Sequence, residues 1–98
     1  MQARCLVDRR VLLSETAFAE IVLWQLPEPT RHRPHGYKYR LALVHQQTCV
    51  LRYDNETGKG DHIHRDGREW PYRFVGPDEL IADFLAEAKE WMDAHPDP

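Results

Sequence analysis

The chain has 98 residues, of which 42% are hydrophobic and 30% charged, with a net charge of −3. This is the composition of an ordinary globular protein, long enough for one compact domain with a modest core, and it excludes a chain disordered throughout. The longest apolar runs, such as Ile21-Val22-Leu23-Trp24, fall far short of the ~20 residues that a membrane-spanning helix needs. The N-terminus Met1-Gln2-Ala3-Arg4-Cys5 also lacks the apolar core and small-residue cleavage site of a secretory signal, so a cytoplasmic location is expected.

Residues 4–13 are rich in Leu and Val, and after Ser14-Glu15-Thr16 the stretch from Ala17 to Leu26 adds Ile, Val and Trp; the two predict a β-hairpin. Pro27 to Gly36 holds three prolines and a glycine, which exclude a helix or central strand and predict a basic loop. From Tyr37 the pattern alternates. Tyr37, Tyr39, Leu41 and Leu43 share one face of a half-buried strand, and Lys38, Arg40, Ala42 and Val44 share the other. After the polar turn His45-Gln46-Gln47-Thr48, residues Cys49 to Asp54 alternate again and complete a second hairpin, with Arg52 on the face of Lys38 and Arg40.

Asn55 to Pro71 contains three glycines and many charges, so it is expected to run over the surface, with Pro71-Tyr72-Arg73-Phe74-Val75 as a short closing strand. Gly76-Pro77-Asp78-Glu79 then announces a helix: glycine as N-cap, proline at the first position, acids at the positive end of the dipole. Leu80, Ile81, Phe84, Leu85, Ala88, Trp91 and Met92 form its apolar stripe, and His95-Pro96-Asp97-Pro98 ends it. The expected fold is α+β, an antiparallel meander of about five strands with one C-terminal helix packed on the sheet, as a single domain over 1–98.

The only cysteines, Cys5 and Cys49, fall on separate predicted strands outside any metal spacing, and both are expected to be reduced and buried. Charge is divided unevenly. Residues 1–76 carry +3 and residues 77–98 carry −6. This reads either as an ordinary solvated surface or as a basic sheet face for a polyanion with the acidic helix turned away.

Chemistry concentrates between Tyr53 and His64. Gly58-Lys59-Gly60 flanks a lysine with flexible backbone whose N–H groups could surround an anion, though it is not a Walker loop, and a plain flexible turn is the competing reading. His62 and His64 point to the same side if the chain is extended there, and histidine as a residue type is suited to give and take protons in one reaction cycle. The same pair could be solvated loop residues, or with Asp61 and Glu69 could supply metal ligands. Tyr53, Asp54, Asn55 and Glu56 could also end the strand and fix the loop through side-chain hydrogen bonds.

The run Tyr-Asp-Asn-x-x-Gly-Lys-Gly-Asp-His-x-His at 53–64, followed by Arg68-Glu69 and Pro71-Tyr72-x-Phe74, resembles the TumE family of toxins from toxin-antitoxin systems. The strand Lys38-Tyr39-Arg40-Leu41 and the leading hairpin fit as well, so the resemblance spans nearly the whole chain; Trp70 stands where a more polar residue is expected. The resemblance implies a toxin neutralised by direct binding of a cognate antitoxin that carries a helix-turn-helix DNA-binding domain. It carries Asp54, Asn55, Gly58, Lys59, Gly60, Asp61, His62 and His64 over as the functional segment.

With the resemblance, the residues support a type II toxin that cleaves RNA without a metal or other cofactor. In this reading His62 and His64 exchange protons with the ribose and leaving oxygens, and Lys59 offsets charge on the phosphate. Lys38, Arg40, Asp54, Asn55, Gly58, Gly60, Asp61, Arg65 and Tyr72 are the expected substrate contacts. The competing readings are a toxin that binds RNA or the ribosome without cleavage, a loop that only docks the antitoxin, and a metal-dependent nuclease using Asp61, His62, His64 and Glu69. The sequence leaves monomer and homodimer open.

Overall fold

A computed structural model describes residues 2–56 and 58–96 of the chain. Six strands, β1 (Arg4–Leu12), β2 (Ala17–Gln25), β3 (Tyr37–His45), β4 (Thr48–Asp54), β5 (His62–Arg65) and β6 (Arg68–Pro71), precede one helix, α1 (Pro77–Ala94). The strands lie in chain order, every neighbouring pair antiparallel, so the sheet is an open meander. The expected α+β architecture is observed, with six strands.

The additional strand pair corrects the reading of residues 55–71 as surface loop throughout. Asp66 (φ 51°) and Gly67 (φ 82°) both adopt left-handed backbone, the requirement of a two-residue hairpin turn, and Arg65 pairs directly with Arg68 across it. The Asp-Gly step allowed this turn, but β5 and β6 are only four residues each and carry too many charges to look like strands. The predicted closing strand is also displaced. Only Pro71 belongs to β6, and residues 72–76 form an irregular connection to α1.

Alternation decides the two faces of the sheet. Ala19, Ile21 and Leu23 of β2, Tyr39, Leu41 and Leu43 of β3, Leu51 and Tyr53 of β4, and Ile63 of β5 make one continuous apolar face. Onto it α1 lays Leu80, Phe84, Ala88 and Trp91, spaced to form one stripe. Full burial of side chains such as Leu80 and Phe84 contributes ~1.5–3 kcal/mol each, the main reason the helix stays docked. Gly76 is the N-cap and Leu80 N–H donates to its carbonyl, as the Gly-Pro-Asp-Glu start implied.

Polar bonds fix the helix in azimuth. Tyr53 Oη donates to Glu87 (2.5 Å), Tyr72 Oη to Asp83 (2.7 Å), Arg65 reaches Glu87 and Glu90, and Trp91 Nε1 donates to Asp66. The acidic helix thus satisfies cations and hydroxyls along β4–β6. Cys5 and Cys49 are both free and both exposed, correcting their expected burial: Cys5 lies on the uncovered edge strand β1 and Cys49 beside the β3–β4 turn.

The β3–β4 turn uses Gln46 (φ 49°) and Gln47 (φ 68°) where glycine or asparagine is favoured, at a cost on the order of 1 kcal/mol per residue. Replacing Gln46-Gln47 by Asn-Gly should therefore raise unfolding stability by roughly 1 kcal/mol or more, read from the urea midpoint; an unchanged midpoint would contradict the strain. A second outcome concerns the phenols of Tyr39, Tyr53 and Tyr72. Burial, then hydrogen bonds to Asp61, Glu87 and Asp83 respectively, hold all three well above the ordinary tyrosine range. A raised native pKa gives stability that is complete below the unfolded value of about 10 and is lost as pH rises beyond it. Phenolate absorbance from these three should accordingly appear together with alkaline unfolding, not before it.

Candidate functional site

The segment after β4 is held by Asn55, whose side chain is completely buried. Its Oδ1 accepts from Tyr39 N–H (3.0 Å) and its Nδ2 donates to Tyr37 C=O (2.8 Å), so the amide imitates a strand residue beside β3. At the other end of the segment, Asp61 accepts from Tyr39 Oη (2.6 Å), from His35 Nε2 (3.0 Å) and at longer range from Asn55 Nδ2 (3.4 Å). His35 Nδ1 accepts from Tyr37 N–H, which leaves the proton on Nε2 to donate to Asp61, and the ring stacks on Phe74 at 3.9 Å. The carbonyl of Asp61 also receives Tyr72 N–H, so one residue joins the proline-rich loop, β3 and the end of β6.

Between these anchors, Gly58 (φ 78°) and Gly60 (φ 90°) take left-handed backbone that a side chain would strain. The turn swings Lys59 over β6, where its Nζ donates to Glu69 at 3.3 Å.

His62 and His64 point to the helix-free face, because Ile63 between them points into the core. Their ring centroids are 6.2 Å apart. Register continues the row: Arg52 lies opposite His64 and His64 opposite Glu69, while Arg40, Asp54 and His62 align in the next row. His62 Nδ1 donates to Gly60 C=O (2.7 Å), since a carbonyl can only accept, and Nε2 faces Glu69 at 3.5 Å. His64 lies between carboxylates, with Nε2 3.5 Å from Asp54 and Nδ1 3.6 Å from Glu69.

Asp54 is buried beneath this cluster, 2.8 Å from Arg52 Nε. The N–H is not directed along that contact and has no hydrogen bond among the described residues, so it is an ion pair with poor hydrogen-bond geometry. For Glu69 partial desolvation opposes ionisation, but the hydrogen bond from Lys59 and the charges of Lys59, His64 and His62 outweigh it and hold the carboxyl below its ordinary value.

The chain matches the family described as Toxin TumE over residues 3–92. It belongs to the TumE toxin family. No curated protein and no solved structure matched. Membership makes this TumE protein a toxin and implies an antitoxin partner. No helix among the described residues is long and apolar enough to cross a membrane.

The structure sorts the expected site of this TumE protein into two groups. His62, His64, Lys59 and Asp54 come together on the open face, with Arg40 and Lys38 on the same side of β3. Arg65 and Tyr72 do not join them: Arg65 shares the parity of Ile63 and is paired with α1, and Tyr72 is bonded to Asp83. Asn55 and Asp61 are committed to the internal network, while Gly58 and Gly60 shape the turn. Because Asp61 turns to the other side, Asp61, His62, His64 and Glu69 do not converge, and no group of three or more His, Cys, Asp or Glu is placed to hold a metal among the described residues.

The sequence placed Arg52 on the face of Lys38 and Arg40 without counting it among the site residues, although its parity with Asp54 puts it in the cluster, and it gave Glu69 a chemical role only as a metal ligand. Sequence reasoning also missed His35, whose role depends on a contact 26 residues away that no local pattern announces. Trp24, exposed on the open face opposite Lys38, shares a shallow pocket of about 80 Å³ with Val22, Lys38, Arg40 and Glu56.

Asn55→Ala should cost roughly 2–4 kcal/mol of folding stability, because it leaves a buried N–H and a buried C=O without partners. Lys59→Ala, on the exposed turn, should change stability by less than about 0.5 kcal/mol. Equal losses in denaturant titrations of the two variants would contradict these assigned roles.

Proposed function

We propose that this toxin is a metal-independent endoribonuclease that acts in the cytoplasm as part of a type II toxin-antitoxin system. The observation that carries the reading is the side-by-side placement of His62 and His64 on the open sheet face, with Arg52 and Lys59 beside them and Arg40 one strand further on. A phosphodiester lying on this face would meet two proton carriers and several cations at once.

His62 holds its Nδ1 proton against Gly60, so Nε2 is the nitrogen available to take the proton of a ribose 2′-hydroxyl. The 2′-oxygen then attacks phosphorus, the bond to the 5′-oxygen breaks, and His64 delivers a proton to that departing oxygen. Asp54 and Glu69, on either side of His64, orient its ring, while Lys59 and Arg52 offset charge developing on the phosphate. The products are a 2′,3′-cyclic phosphate and a free 5′-hydroxyl.

The rest of the open face suits a single strand. Lys38 and Arg40 have no ion-pair partner among the described residues, and Trp24 offers a ring on which a base can stack, three strand spacings or ~14 Å from β5.

Incubating the purified toxin with total RNA in the presence of a chelator should yield fragments ending in 2′,3′-cyclic phosphate. His62→Ala and His64→Ala should each slow cleavage by about a hundredfold or more while retaining the fold. Cleavage that stops on chelation, or that continues at the wild-type rate in both variants, would refute the mechanism.

A further inference from the structure

At the far side of the sheet, β1 is an edge strand of nine residues, paired only with β2. Half of its backbone N–H and C=O groups therefore face outward without a strand partner, a template to which another extended chain can add. The opposite edge, β6, is only four residues long and ends in proline, the usual protection against such pairing. β1 is longer and carries no proline, and its bulge between Cys5 and Val7 leaves Leu6 exposed.

Beside this edge α1 does not cover the sheet fully. A groove of about 540 Å³ opens between β1 and the helix, with Val7, Val11 and Ile21 on its floor and Ile81 and Leu85 along its wall. Leu85 belongs to the apolar side of the helix yet is 42% exposed, because the sheet beneath it ends at β1. Arg9 also lines the groove and, like Arg4 on the same strand, has no ion-pair partner among the described residues. Arg10 is paired with Glu20, and Asp8 is the only acid on β1.

We propose that β1 and the adjoining groove are the docking surface for an extended segment of the antitoxin, in which apolar residues alternate with acidic ones. The segment would pair with the outer edge of β1, set its apolar side chains against Val7, Val11 and Leu85, and bring carboxylates to Arg9 and Arg4. The same charge pattern disfavours a second copy of this chain as the occupant, since two β1 strands side by side would bring unpaired arginines together with only one acid each. The inference rests on the family's toxin role, not on RNA cleavage.

Binding of purified cognate antitoxin to the full-length toxin tests it, together with amide hydrogen exchange along β1. Arg9→Glu and Leu85→Glu, both surface changes outside the histidine cluster, should weaken binding by roughly tenfold or more. Arg68→Glu on the opposite edge should leave binding unchanged. The outward amides of β1 should exchange quickly in the free toxin and slowly in the wild-type complex, a readout that does not depend on how any variant folds. In cells producing both proteins, the Arg9→Glu toxin should escape neutralisation. Wild-type affinity in both groove variants, unaltered β1 exchange in the complex, or β1 protection that rises with concentration of the toxin alone would overturn the proposal, the last by showing that a second copy occupies the edge. Loss of RNA cleavage in the histidine variants leaves these outcomes unaffected, so the two readings fail separately.

Discussion

The pair formed by buried Asn55 and half-buried Asp61 is the constraint on which the rest of the open-face chemistry depends. A strand that leaves the sheet must either find new partners for its neighbours' backbone groups or leave them unsatisfied in the core. Asn55 supplies those partners from its own amide where β4 ends, on the side of Tyr37 and Tyr39 that faces away from β2. Asp61 gathers the hydroxyl of Tyr39 and the ring of His35 before β5 begins. With both ends fixed, β5 enters in a register that turns His62 and His64 outward and Ile63 inward. A slip of one residue would bury both imidazoles and expose the isoleucine.

The same parity separates two populations of charge that the sequence presents together. Cations and carboxylates on even-numbered residues of β3 to β5 meet on the helix-free face, where Arg52, Asp54, His62 and His64 form one network with Glu69 and Lys59. Arg65, one residue beyond His64, is drawn the other way and spends its charge on Glu87 and Glu90. The acidic helix therefore neutralises its own side of the sheet and leaves the basic residues opposite to act without it.

Much of this was legible in the chain, for reasons that can be named. The alternation of Tyr37 to Val44 and the stripe from Leu80 to Met92 are both created by burial, and burial leaves a period in the sequence. The spacing of two put His62 and His64 on one side of an extended chain, while which face they take depends on Ile63 entering the core. Other features have no period to leave. β5 and β6 are too short and too charged, and their hairpin depends on one Asp-Gly step. The contact between His35 and Asp61 closes a span of 26 residues, and the exposure of Cys5 depends on β1 being an edge, a property of the sheet and not of the strand.

Because strands neighbour one another in the order in which they are synthesised, each new strand finds its partner already present, and the sheet can extend hairpin by hairpin with little cost in loop closure. The helix does not share this advantage. It comes last, and until residues 77–94 are available the apolar face from Ala19 to Ile63 stays in water. Completion of the fold is thus a single late event, and a chain interrupted before Pro77 would hold a nearly finished sheet with one side bare, the form of this sequence most prone to aggregate.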